Sequence, residues 1–142
     1  MTKELRPFHL AFPVHNIEKT IKWYTKNLNC KIGRQDKNWV DFDFYGHQIS
    51  AHKIDKKNYH PSTNPVDGHH VPSRHFGIIL KIDQWEKLEN RLKKNKLNFI
   101  IKPYTRFKNE LGEQSTMFIQ DPSGNSLEFK SFKNDSMIFE KD

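Results

Sequence analysis

The feature that most restricts the fold is an order of elements that occurs twice within 142 residues. Each copy reads as a strand, an amphipathic helix and three further strands, in roughly 60 residues. Because a module of this size needs a partner to bury its sheet, the repeat predicts one domain built from two similar halves. We place this single domain at residues 1–142, with modules at about 5–56 and 73–133.

Periodicity and capping residues locate the individual elements. In the first module, apolar residues recur at helical spacing over 17–28, with Asn16 as N-cap and Asn29 as a left-handed end. In the second module, Asp83 is expected to cap the helix. In the first module, a two-residue type II′ turn is expected at Gly46-His47. The predicted strands are residues 8–14, 30–34, 39–45 and 48–54, then 75–80, 99–102, 115–120 and 126–132. Residues 57–72 are predicted as a long connecting loop, because prolines and polar residues fill them without periodicity.

Charge and composition exclude several classes of protein. The net charge is +7, but the lysines are spread along the chain and no nucleic-acid-binding motif is present, so no nucleic-acid partner is expected. No apolar run approaches the roughly 20 residues that span a bilayer, and residues 1–6 do not resemble a secretory signal, so no membrane association is expected. A single cysteine, Cys30, fits a reducing compartment and is expected to pack as a small hydrophobe. These features favour a cytoplasmic protein.

Strand alternation separates a core face from a second, mixed face. The residues expected in the core are Phe8, Leu10, Phe12, Ile49, Ala51, Phe76, Ile78, Leu80, Leu127 and Phe129. The opposite face carries His9, His75 and Glu128 among small or apolar residues, which is typical of a cavity wall. Two imidazoles and a carboxylate can bind iron, manganese, nickel or zinc, and three ligands leave positions open for substrate. Histidines that only make structural hydrogen bonds are the alternative.

Three segments of the chain, which contain His9, His75 and Glu128, resemble the vicinal oxygen chelate superfamily. This superfamily includes glyoxalase I, extradiol dioxygenases and antibiotic-resistance proteins. The similarity covers nearly the whole chain and lies in FHLAFPVHNIEKTIKWYTKNLNCKIG, HFGIIL and MFIQDPSGNSLEFKSF. In that superfamily the first strand of each module carries a metal-binding His, and a Glu follows a D-P-x-G-N turn; the matches are His9, His75 and Glu128. The resemblance implies an α+β fold in which two βαβββ modules pair into a curved mixed sheet around a metal-binding cup.

The ligand set indicates a position within the superfamily. Glyoxalase I adds a fourth ligand, usually Glu, from the strand that is 48–54 here, and this strand has no Glu. Two His and one carboxylate match the extradiol dioxygenases, so iron(II) is the expected metal, with manganese, nickel or zinc as alternatives. Those enzymes also use a nearby His, for which His52 is the candidate. Weaker candidates for the same role are His60, His69 and His70. The Tyr expected before the Glu is missing, because Met117 and Phe118 occupy that strand.

The polar segment 103–114 supplies the remaining candidate catalytic residues, Tyr104 and Arg106. An arginine there could clamp a substrate carboxylate or phosphate through two hydrogen bonds. A solvated hairpin loop is the alternative interpretation of this segment.

Three functions follow from the resemblance. The leading one is an extradiol-type dioxygenase whose small, oxygen-bearing substrate binds the metal. The second is a lyase, isomerase or transferase related to glyoxalase or fosfomycin resistance. The third is a metal-free drug-binding protein, which the intact triad of His9, His75 and Glu128 disfavours. The resemblance also leaves a homodimer open, because sheet edges in such modules often pair.

Overall fold

The chain divides into two compact units in the computed structural model, which describes residues 4–56 and 62–141. The first unit takes in the described residues up to 56 together with the turn Asp121–Asn125. The second takes in the described residues from 62 to Gln120 and from Ser126 onward. No helix in this described part of the chain is long and apolar enough to span a membrane.

The first unit contains one helix and one four-stranded mixed sheet. Its elements are β1 (His9–Val14), α1 (Ile17–Leu28), β2 (Lys31–Asp36), β3 (Trp39–Phe44) and β4 (His47–Lys53). The strand order is β1-β4-β3-β2, in which β1 and β4 are parallel and the other pairs antiparallel.

The second unit repeats this arrangement after a two-stranded hairpin. Its elements are β5 (Thr63–Val66), β6 (His69–Pro72), β7 (His75–Ile79), α2 (Ile82–Lys94), β8 (Phe99–Arg106), β9 (Gln114–Gln120), β10 (Ser126–Phe132) and a 3-10 helix (Asp135–Met137). The sheet order is β7-β10-β9-β8, with β7 and β10 parallel. The α+β fold and the duplicated strand–helix–three-strand order are therefore confirmed.

Both helices form where the sequence predicts them. The predicted N-cap residue is correct for α1 and wrong for α2. Asn16 caps α1 through a 2.9 Å hydrogen bond from the Lys19 N–H, and Asn29 ends it at φ 54°, as predicted. The predicted cap of α2 is wrong. Lys81 is the N-cap, its N–H donates to the Gln84 side chain at 3.3 Å, and Asp83 lies within the first turn, where its charge suits the helix dipole.

Each unit has its own core beneath its helix. The largest fully buried side chains are Val14, Tyr24, Val40, Phe42 and Ile49 in the first unit, and Leu92, Met117, Ile119, Leu127 and Phe129 in the second. Phe8 is a correction: it precedes β1 and is 63% exposed, whereas Phe12 and Val14 supply the buried face of that strand.

Two predicted connections are also corrected. The turn between β3 and β4 is Tyr45-Gly46, not Gly46-His47, and its φ values of 52° and 86° fit a type I′ turn. The predicted loop 57–72 contains, in its described part, the hairpin of β5 and β6. Its turn, Asp67-Gly68, again has two positive φ values, 50° and 77°. An Asp-Gly pair favours this turn, and it outweighs the prolines that suggested a loop.

The turn Asp121–Asn125 belongs to the first unit through its hydrogen bonds. The Asp121 carboxylate accepts from the Ser123 and Asn125 N–H groups, from the Asn125 amide and from the Tyr24 hydroxyl at 2.8–2.9 Å. Asn125 also donates to the Pro13 carbonyl at 2.7 Å. Burial raises the pKa of Asp121, although these hydrogen bonds act to lower it. The D-P-S-G-N motif therefore has a structural role in this unit.

Candidate functional site

His75 and Glu128 form an ion pair on the non-core face of the second sheet. Strand alternation places them there: Phe129 and Leu127 are buried below, while Glu128 points away from the core. The His75 Nε2 atom lies 3.1 Å from Glu128 Oε1, and their side chains are 29% and 11% exposed. They line a cavity of about 260 Å³ whose wall consists of His75, Phe76, Gly77, Ile78, Ile79, Glu128 and Lys130. Two of the three predicted metal ligands thus lie together.

The imidazole of His75 is held in one orientation. Its Nδ1 lies 2.7 Å from the Pro72 carbonyl, which can only accept a hydrogen bond, so Nδ1 carries the proton. The Phe118 ring meets the imidazole edge-on at 5.1 Å. The hydrogen bond to Glu128 raises the pKa of His75, and burial opposes that rise. A metal-binding histidine is normally anchored in this way through its second nitrogen.

Glu128 is kept ionised by its neighbours. Burial acts to raise its pKa, but the hydrogen bonds from His75 and Thr116 outweigh it, so that the pKa lies below its usual range. The Thr116 hydroxyl donates to Oε2 at 2.5 Å, and Lys130 Nζ lies 4.0 Å from Oε1. A carboxylate that is charged and fixed on both oxygens is suited to bind a cation.

Gly77 allows Glu128 to lie where it does. The two residues face each other in the parallel β7–β10 pair. A Cβ atom on Gly77 would lie 1.5 Å from the Glu128 carbonyl oxygen and 2.6 Å from its carbon. Any side chain at this position would force the strands apart, so the close backbone approach requires glycine.

Tyr104 and Arg106 lie in β8, which extends four residues beyond the predicted strand end at 102, so the loop alternative for this segment is wrong up to Arg106. Tyr104 pairs with Thr116 across β8 and β9. Its hydroxyl donates to Asp67 Oδ2 at 3.1 Å, and Arg106 Nε donates to the same oxygen at 2.6 Å. Burial first, and then the Asp67 hydrogen bond, raises the pKa of Tyr104, so its hydroxyl keeps its proton. The Glu128 charge contributes to this rise as well.

His9 and His52 lie in the first unit, on the face predicted for them. His9 Nδ1 lies 2.8 Å from Gln48 Oε1, its register partner in β4. His52 lies on β4 opposite Pro13 and Trp39 and is exposed. The roles of His9 as a third ligand and of His52 as an acid or base stay predictions.

The remaining candidate histidines lie in or beside the β5–β6 hairpin. His69 lies with its ring 5.0 Å from that of Tyr104, whereas His70 is exposed opposite Pro65. His60 lies outside the described residues. Sequence reasoning missed three residues of the site, Asp67, Thr116 and Lys130. For Thr116 and Lys130, alternation on β9 and β10 is the signal that could have found them.

The donor atoms of the second unit fit a divalent metal. His75 Nε2 and Glu128 Oε1, 3.1 Å apart, are an imidazole nitrogen and a carboxylate oxygen, and both are donor types that divalent transition metals bind. Across residues 4–56 and 62–141, no group of three or more His, Cys, Asp and Glu side chains is placed to hold a metal. The structure therefore presents a pair of candidate ligands within the second unit.

The first unit has a cavity of its own, of about 360 Å³. Its wall consists of Pro7, Gly33, Arg34, Asp41, Phe42, Asp43, Gly46, His47 and Gln48. The Asp41 carboxylate accepts from the Ser50 hydroxyl at 2.5 Å, and the Asp43 carboxylate accepts from the Gly46 N–H at 2.8 Å. These two acidic side chains are thus engaged in local structure.

The family of the chain follows from comparison with known proteins. The model of the Glyoxalase/Bleomycin resistance protein/Dioxygenase superfamily matches residues 6–129. The chain therefore belongs to this superfamily, and its resemblance to the vicinal oxygen chelate proteins is confirmed. No curated protein matches the chain.

Solved structures agree with this assignment. A glyoxalase/bleomycin resistance protein/dioxygenase from Alicyclobacillus acidocaldarius is 30% identical, with a TM-score of 0.82 over 98% of this chain and 100% of that one. The fosfomycin resistance protein FosX from Listeria monocytogenes is 14% identical, with a TM-score of 0.67 over 92% of this chain and 94% of that one. A mutant of the Listeria protein, similar in fold at a TM-score of 0.61, is complexed with Mn(II) and 1S,2S-dihydroxypropylphosphonic acid. It is 14% identical and matches over 91% of this chain and 90% of that one.

Proposed function

We propose that the protein is a metal-dependent enzyme whose small, oxygen-bearing substrate binds a divalent metal held by His75 and Glu128, with His9 as a third ligand. The observation that carries the proposal is the His75–Glu128 pair, in which the 3.1 Å spacing and the anchored Nδ1 atom both suit metal binding. The metal would act as a Lewis acid on substrate oxygens. The Mn(II) bound to the FosX relative supports a divalent ion in general.

The chain's own residues would prepare and orient the reacting groups. Thr116 and Lys130 keep Glu128 charged and fixed, and the Pro72 carbonyl accepts from Nδ1 and so directs the His75 Nε2 atom at the ligand position. Arg106 and Tyr104, at the same face of the sheet, would receive a carboxylate, phosphate or phosphonate group of the substrate. His52 stays the candidate general acid or base of the first unit.

Two reaction types are compatible with this arrangement. Ring cleavage by an extradiol-type dioxygenase is supported by the predicted ligand set of His9, His75 and Glu128, and it would use iron(II). Non-redox chemistry of the fosfomycin-resistance kind is supported by Arg106 and Lys130, since cationic groups favour an anionic substrate over a neutral catechol. We favour the fosfomycin-resistance kind of chemistry. The described face of the second sheet offers the cations Arg106 and Lys130 to an anionic substrate, and Tyr104 is the one phenol among the site residues described there.

Metal content tests the site. Purified protein loaded with Fe(II), Mn(II), Ni(II) or Zn(II) is expected to retain one ion per chain by elemental analysis, and His75→Ala to lose it. His9→Ala should weaken metal affinity more than about 10-fold if His9 is a ligand. His70→Ala is the matched control, because it removes an exposed histidine of the same unit. Full retention of metal by His75→Ala would contradict the assignment of His75 as a ligand. A wild-type protein that retains none of these ions would favour the metal-free binding protein instead.

Activity assays separate the two reactions. Oxygen uptake by the anaerobically prepared Fe(II) protein with a panel of catechols would support ring cleavage. Turnover of phosphonate-bearing epoxides or thiol hemiacetals by the Mn(II) protein, without oxygen uptake, would support the second reaction.

A homodimer is also part of the proposal, since β1, β2, β7 and β8 are edge strands. Light scattering should give twice the monomer mass.

A further inference from the structure

The tip of the β5–β6 hairpin places a carboxylate on the two residues assigned to the substrate anion. Asp67 Oδ2 accepts from Arg106 Nε at 2.6 Å and from the Tyr104 hydroxyl at 3.1 Å. One oxygen atom therefore receives both donors, which is the arrangement expected for a bound anionic ligand. The two terminal nitrogens of Arg106 have no hydrogen-bond partner among the described residues, and the guanidinium lies 4.8 Å above the Phe107 ring.

The Asp67 contacts attach the tip of the hairpin to β8. It has only four residue pairs, and an isolated two-stranded hairpin is marginally stable in water. Its base is closed by hydrogen bonds between Ser62 and Ser73, and its tip by the Asp67 contacts. A ring contact between His69 and Tyr104 also links the hairpin to β8 near the tip. Loss of the Asp67 contacts would leave the hairpin attached mainly at its base.

The hairpin also leads directly into the metal pair. Pro72, the last residue of β6, supplies the carbonyl that fixes His75, and β7 begins at His75. The hairpin thus connects the anion-binding residues at its tip with the metal-binding residue beyond its base. Displacement of the hairpin tip would therefore change access to the His75–Glu128 pair.

We infer that Asp67 is an internal competitor for the substrate anion: it occupies Tyr104 and Arg106 in the free protein, and a carboxylate, phosphate or phosphonate group of the substrate replaces it as the hairpin tip leaves. This inference rests on the proposed function, of which it names the substrate class and one determinant of specificity. Neutral substrates would leave Asp67 in place. Only an anion supplies the charge that Arg106 loses when Asp67 departs.

Binding of inorganic phosphate to the metal-free protein tests the inference. Asp67→Asn keeps the shape of the side chain and removes the competing charge, so it is expected to bind phosphate about 10-fold more tightly than the wild type. Asp135→Asn is the matched control, because it makes the same change of net charge at an exposed position of the same unit. Adding Arg106→Gln to Asp67→Asn should abolish the gain.

Hydrogen exchange gives a second, independent measurement. Phosphate should accelerate exchange of the amides of residues 63–72 in the wild type, because the tip is released. In Asp67→Asn these amides should exchange fast with or without phosphate. Equal phosphate affinity of Asp67→Asn and Asp135→Asn, or slower exchange of the hairpin on phosphate addition, would overturn the inference. Since these experiments use no metal, they fail or succeed separately from the metal site.

Discussion

Thr116 orients the proposed metal ligand Glu128 without itself being placed as a ligand. It is 1% exposed, and its hydroxyl donates to the oxygen of Glu128 that does not face His75. A carboxylate held through one oxygen leaves the other in a defined direction. Removal of this hydrogen bond would let the Glu128 carboxylate rotate and would raise its pKa toward the ordinary range.

We therefore expect Thr116→Val to weaken metal binding by about 10-fold while the fold is retained, because the support of a metal ligand is lost and not the ligand itself. Titration of the metal by calorimetry measures the effect. Thr105→Val is the control, since the Thr105 hydroxyl forms a hydrogen bond with Ser115 at 3.0 Å and not with Glu128. An unchanged metal affinity in Thr116→Val would show that Glu128 needs no such support.

Cys30 gives a second prediction at this scale. It is 5% exposed, as expected for a cysteine that packs as a small hydrophobe, and burial together with the Asp43 charge raises its pKa to about 12. At pH 8 only about one thiol in 10,000 would then be ionised, and the thiolate is the reactive form. The native protein should react very slowly with a disulfide reagent such as DTNB, and protein unfolded in guanidinium should react at the rate of a free thiol. Equal rates would contradict the burial.

At the scale of elements, the accuracy of the sequence prediction follows from how local each signal is. Both helices and the β7 and β10 strands were predictable, because periodicity and caps lie within each segment. The extension of β8 through Pro103 was not, because a proline is tolerated only where a strand lies at a sheet edge, and the edge is set by strand order. His75 and Glu128 were found by alternation and a motif. Asp67 could not be found, because its contact with Arg106 depends on where a hairpin folds back.

The parallel pair of β7 and β10 provides a stability test. Gly77→Ala should destabilise the protein by about 2–3 kcal/mol or more, since its Cβ would overlap the Glu128 carbonyl. Gly33→Ala is the matched control: the same added atom would meet the Asp41 Cβ at 3.4 Å, an ordinary contact. Denaturant unfolding measures both variants. Similar stabilities for the two would show that β7 and β10 tolerate separation.

For the whole molecule, metal binding and stability are linked. A metal that binds only the folded chain, at a free concentration 100 times its Kd, raises the free energy of unfolding by about 2.7 kcal/mol. For a chain of this size the Tm then rises by roughly 10 °C. We expect such a rise on metal addition and its loss with a chelator. His75→Ala should show no rise, and His70→Ala should behave as the wild type. An equal rise in His75→Ala would place the stabilising ion elsewhere.

The turn Asp121–Asn125 has a consequence for how the protein is made. It completes a unit whose other described residues end at 56, yet the ribosome adds it more than sixty residues later. At about 5–20 residues per second, that interval lasts roughly 3–13 s. Throughout it the nascent amino-terminal half lacks the carboxylate that receives the Tyr24 hydroxyl. Until the turn is added, the amino-terminal half therefore lacks five residues of its own folded unit.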